Sequence, residues 1–87
     1  MRIWYRKWKD SRMVGDYLYE DNSEDTRTHK IFNSLEKCAI EFDLSTPIWL
    51  EKTIRDFKRG AKARFTQDNF PDEIDFDYLE ISVIEED

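Results

Sequence analysis

The stretch that most constrains this chain is its opening, MRIWYRKWKD, where large apolar side chains are interleaved with cations. A period of two marks a β-strand, whose successive side chains point to opposite faces. Ile3, Tyr5 and Lys7 then share one face, and Arg2, Trp4, Arg6 and Trp8 share the other. A strand with this much aromatic surface needs a sheet, because an isolated hairpin is at best marginally stable in water. The next residues offer a first partner. KDSR reads as a turn and MVGDYLYED as the returning strand, with Gly15 marking a bulge or a close packing contact.

The period then changes. In NSEDTRTHKIFNSLEKCAIEFDL, the residues Thr28, Ile31, Phe32, Leu35, Cys38, Ala39 and Phe42 recur at three- and four-residue spacing, one face of a helix. Asn22 or Ser23 is the expected cap, and Glu24 and Asp25 suit the positive end of the helix dipole. A second helix is expected from STPIWL, capped by Thr46, with Pro47 at the first helical position, where its missing N–H costs nothing. Leu50, Ile54, Phe57, Ala61 and Phe65 keep helical spacing through Gly60, so the expected end is near Thr66, with Gly60 as the competing stop. The short link from Asp43 to Thr46 makes the pair an antiparallel helical hairpin. QDNFPDE is a turn, and IDFDYLEISVI is the last strand. Its apolar positions move from Ile74, Phe76 and Tyr78 to Leu79, Ile81 and Val83, a change of phase that predicts a bulge near Tyr78.

The expected fold is therefore α+β in the order ββααβ, with strands at about 2–9, 13–20 and 74–84 and helices at about 23–43 and 47–66. Three strands form a mainly antiparallel sheet, and the two-helix hairpin packs on one face. At 87 residues there is room for one core, so residues 1–87 are read as a single domain. Two glycines, two prolines and 15% aromatic residues argue for regular structure and against disorder. Cys38 is the only cysteine, which points to a reducing compartment. No apolar run follows Arg2 and Ile3, and the uncharged stretch Leu44 to Leu50 is too short to span a bilayer. The expectation is a cytoplasmic protein with no membrane partner.

The formal charge of −6 is segregated. Basic blocks at 1–12 and 47–64 alternate with acidic blocks at 16–46 and 65–87. If Ile3 and Tyr5 face the helices, the outer sheet face is a ladder of Arg2, Trp4, Arg6 and Trp8. Such a ladder is similar to the sheets of RNA-recognition and oligonucleotide-binding folds, where bases stack on aromatics beside cations. The basic-aromatic and Gly-rich signature of RNA-recognition strands is absent. The structural alternative pairs Arg2 and Arg6 with Asp75 and Asp77 of the last strand across the sheet. On the second helix, Lys52, Arg55, Arg59 and Lys62 fall on one stripe, roughly 140° from the apolar stripe. That stripe suits phosphates, an acidic protein partner, or plain solvent. Without Asn, Gln or Ser to read base edges, nucleic-acid binding there would be sequence-tolerant.

The acidic end offers no metal-site spacing, since alternation puts only Asp75 and Asp77 on a common face and the calcium-loop pattern is missing. A rigid acidic strand can imitate a phosphate backbone and block a nucleic-acid enzyme. Catalysis finds no support. His29 lies off the apolar stripe, Cys38 reads as a packed thiol, and no Gly-rich phosphate loop or nucleophile elbow occurs. No catalytic residue, metal or cofactor is expected.

The stretches MRIW with KWKD, EDTRTHKIFNSLE, RFTQDNF and IDFDYLEISVIEED together resemble a set of short bacterial proteins with no assigned activity. The resemblance implies a bacterial or mobile-element origin and transfers no functional residue. The leading expectation is a non-catalytic protein-binding module, an acidic adaptor or antagonist of a nucleic-acid enzyme, using Trp4, Trp8, Asp75 and Asp77. The alternative is a nucleic-acid binder using Lys52, Arg55, Arg59 and Lys62. A third reading is self-association through strand edges.

Overall fold

The computed structural model describes residues 1–87 and contains strands β1 (Arg2–Lys9), β2 (Arg12–Glu20), β3 (Lys62–Phe65) and β4 (Tyr78–Glu85), with helices α1 (Arg27–Glu41) and α2 (Glu51–Gly60). The fold is α+β, and its sheet is antiparallel throughout in the order β2-β1-β4-β3. The opening alternation becomes the central strand. Ile3 and Tyr5 are fully buried beneath the helices, and Arg2, Trp4, Arg6 and Trp8 lie on the opposite, uncovered face. Asp10 and Ser11 form a two-residue hairpin turn, both with positive φ, as the primed turns require. Asp77 braces the turn by accepting a hydrogen bond from the Asp10 N–H at 2.9 Å.

Gly15 answers both expectations placed on it. Lys7 pairs with Gly15 but Trp8 with Met13, so Val14 is the extra residue of a bulge. A Cβ at Gly15 would lie 3.1 Å from the Phe42 ring, so the position is kept open for the end of α1.

The helices differ from expectation at both ends. α1 starts at Arg27 with Thr26 as cap, its hydroxyl accepting from the His29 N–H at 3.2 Å. Asn22 and Ser23 do not cap it, because the chain first makes a turn in which Asp21 accepts from the Ser23 N–H and Ser23 from the Asp25 N–H. The buried face is also rotated. Lys30 and Ser34 join Ile31, Leu35, Cys38 and Ala39 inside, while Phe32 is 49% exposed. Ser34 is drawn in by the Tyr5 hydroxyl, 2.7 Å away. Lys30 is drawn in by the Asp87 carboxylate at 2.7 Å.

α2 begins at Glu51 rather than Pro47. Thr46 and Pro47 belong to an extended linker, with Pro47 buried. Asn69 holds this linker, accepting from the Ile48 N–H through its own carbonyl and donating from its side chain to Ile48 O and Thr53 Oγ1. Trp49 then packs edge-on against Phe57 and Phe65, at 5.3 and 4.9 Å between ring centres. The tight helical hairpin is thus replaced by a longer, tryptophan-pinned crossing.

The main correction is a fourth strand. α2 stops at Gly60, Ala61 takes the left-handed conformation with φ 54°, and Lys62–Phe65 runs as an edge strand against β4. Its Ala63 and Phe65 are buried and its Lys62 and Arg64 exposed, which is strand alternation where helical spacing was expected. β4 correspondingly starts at Tyr78, so the change of phase near Tyr78 marks where the strand begins and not a bulge. Residues 74–77 are irregular, with Phe76 buried against Phe70.

Candidate functional site

The uncovered sheet face is built from three registered rows. Leu18, Trp4, Ser82 and Lys62 stand side by side across the four strands, then Asp16, Arg6, Glu80 and Arg64, then Met13, Trp8 and Tyr78. The side chains bind one another. The Arg6 guanidinium lies 4.4 Å from the Trp4 ring centre and 5.7 Å from that of Trp8, and pairs with Glu80 at 2.5 Å. Trp4 Nε1 donates to Asp16 at 2.9 Å. Arg64 covers Tyr78 at 4.5 Å, and Tyr78 stacks beside Trp8. Under this ladder the Glu80 side chain is only 8% exposed, and Lys62 approaches its second oxygen at 3.7 Å.

Trp4 and Trp8 therefore occupy the expected face, half-buried, each with a guanidinium near its ring. Asp75 and Asp77 do not. Both precede β4, exposed, in irregular backbone, and Asp77 is spent on the hairpin turn. The acids that answer Arg2 and Arg6 are Glu20, Glu85 and Glu80. Sequence reasoning missed Glu80 and Arg64 as members of the face. Reading KARF as a strand would have placed Arg64 beside Glu80.

The expected basic stripe is split. Lys52, Arg59 and Lys62 line a cleft of about 720 Å³ between α2 and β3, together with Arg64, whereas Arg55 points elsewhere, beside Ile54 and Lys58. None of Lys52, Arg55, Lys58, Arg59 and Arg64 has an acidic partner within 4 Å.

The acidic end is largely occupied at home. Asp72 accepts from Ser45, Glu86 takes Arg27 through two nitrogens, and Asp87 bridges Lys30 and the Met1 amino group. Those contacts hold the Asp87 carboxyl below its ordinary range, Lys30 contributing most. Cys38 is fully buried, and desolvation pushes its thiol up to about 12, so it has no nucleophilic character near neutrality. No three His, Cys, Asp or Glu side chains gather to hold a metal ion. No helix is long and apolar enough to cross a membrane.

Fold and surface together define a small α+β domain with helices on one sheet face and an aromatic–guanidinium ladder on the other. No family model, curated protein or solved structure matches the chain.

Proposed function

We propose that the chain is a non-catalytic binding module whose uncovered sheet face docks a partner protein through an apolar patch ringed by charges of both signs. The carrying observation is the ladder itself. Aromatic and Arg side chains are the residues that dominate protein interfaces, and here they are already ordered by one another. Met13 and Leu18, 47% and 40% exposed, extend the apolar surface along β2. Charge favours protein over nucleic acid. Arg2, Arg6, Lys62 and Arg64 on this face stand beside four acids, Asp16, Glu20, Glu80 and Glu85, so the face as a whole carries no net positive charge to attract a polyanion. The guanidinium near both indoles also competes with base stacking there.

The test is affinity capture from nuclease-treated lysate with Leu18→Asp and Met13→Asp variants, using Ile40→Asp on the helical side as control. The reading expects a captured protein to be lost with the first two and retained with the third. Capture that survives both face substitutions, or fails only with Ile40→Asp, refutes it.

A further inference from the structure

The cleft between α2 and β3 has a lining at odds with the chain's overall charge. A chain of net charge −6 places Lys52, Arg59, Lys62 and Arg64 around one space. Lys52 and Arg59 come from the same face of α2, seven residues apart, or about two turns. Lys62 and Arg64 come from alternate positions of β3, which projects them to one side. Three acids share the lining, but Glu80 is neutralised by Arg6 from outside the cleft. Asp56 and Asp68 make no ion pair within 4 Å, and neither do Lys52, Arg59 and Arg64.

We infer that this cleft binds a phosphorylated small molecule that also carries hydroxyl or amino donors, with a nucleotide as the fitting size. The cations supply charge-assisted hydrogen bonds to phosphate oxygens, and two of them are the planar forks that match phosphate geometry. Asp56 and Asp68 are acceptors only, and what they fit is a ligand's sugar hydroxyls or base amine. Its volume of about 720 Å³ lies in the range of small-molecule sites. This site is separate from the protein-docking face and does not rest on it, although Lys62, Arg64 and Glu80 border both.

The experiment is calorimetric titration with ATP and, separately, with inorganic tripolyphosphate, without divalent metal and at low salt. Lys52 and Arg59 are exposed and unpaired, so Lys52→Gln and Arg59→Gln leave the fold intact, which circular dichroism verifies. Each is expected to weaken ATP binding about tenfold or more, as loss of a hydrogen bond to a charged group does. Lys37→Gln, an exposed cation on α1, is expected to change nothing. ATP is expected to bind more tightly than tripolyphosphate. The inference is overturned by absent ATP binding, by equal loss with Lys37→Gln, or by tripolyphosphate binding as tightly as ATP. It is also overturned if a single-stranded oligonucleotide binds where ATP does not, which would make the cleft a backbone track.

Discussion

Glu80 is a carboxylate held almost out of water on the uncovered face of a sheet, and it is there because Arg6 lies against it. Arg6→Ala removes the partner and strands the charge. Breaking a buried pair costs about 3–5 kcal/mol, and Lys62 at 3.7 Å keeps the figure at the low end. Loss of the guanidinium beside Trp4 adds about 0.5 kcal/mol, so the total is about 3.5 kcal/mol. A domain of 87 residues has about 4–13 kcal/mol to lose, which makes this a large fraction. At an m-value of about 1.3 kcal/mol/M, the urea midpoint at neutral pH falls by about 2.7 M. The double variant Arg6→Met, Glu80→Leu removes both charges and keeps the volume, and is expected within about 1 kcal/mol of the parent. A single-variant cost under about 1 kcal/mol would place the pair among ordinary surface bridges and refute the reasoning. A double variant no better than the single would show that Arg6 acts through packing alone.

Three further outcomes follow from buried contacts. Asn69→Ala leaves Ile48 O, Thr53 Oγ1 and the Thr66 N–H without their partner, and is expected to cost about 2–3 kcal/mol by urea unfolding; a cost below about 1 would mean that the linker holds itself. The depressed carboxyl of Asp87 contributes stability that is present above the ordinary carboxylate pKa and lost as pH falls through its lower folded value. The difference in Tm between parent and Asp87→Asn should therefore be constant near neutrality and shrink below about pH 4, and a difference independent of pH would contradict the pairing. Cys38 should resist a thiol reagent at pH 8 in the folded protein and react fully in denaturant, because burial has pushed its thiol up to about 12. Prompt labelling of the native state would contradict that.

The parts of the fold that sequence made legible are those with one unambiguous period. Residues 2–9 alternate without exception until Lys7, and the first helix carries about four turns' worth of apolar spacing, so hairpin and helix were readable within a few residues. KARF was not, because Phe57, Ala61 and Phe65 satisfy a helix while Ala63 and Phe65 satisfy a strand. Four residues cannot separate the two. Tertiary structure decided, by giving β4 an edge partner and Phe65 a place against Trp49. The same ambiguity misplaced Asp75 and Asp77, which alternate with Ile74 and Phe76 although the strand starts only at Tyr78. Pro47 misled for another reason. It suits the first turn of a helix and an extended linker equally well, and hydrogen bonds from Asn69, distant in sequence, selected the linker.

Charge totals rank functions poorly in this chain, and the pairing pattern explains why. The nine acids after Arg64 suggest a phosphate mimic, which requires free carboxylates on one rigid surface. Six of them are engaged: Asp72 with Ser45, Asp77 with the hairpin turn, Glu80 with Arg6, Glu85 with Arg2, Glu86 with Arg27 and Asp87 with Lys30. These contacts fasten the last strand and its flanks to the rest of the fold, and of the remainder Asp68 faces the cationic cleft. In the first basic block Arg2 and Arg6 are taken up in the same way by the sheet, and Lys7 lies over the Phe42 and Phe76 rings. Lys52, Arg55, Lys58 and Arg59 of α2, with Arg64, have no acidic partner within 4 Å, so an acidic protein presents a positive side there. Binding specificity follows such local remainders, because surface charges beyond about 8–10 Å are screened at physiological salt. The net charge of −6 therefore repels polyanions from afar, while a compact phosphate that reaches the α2–β3 cleft meets Lys52, Arg59 and Arg64 without an ion-pair partner. That combination favours a small anion over a nucleic-acid chain, whose many phosphates would span the acidic surroundings as well as the cleft.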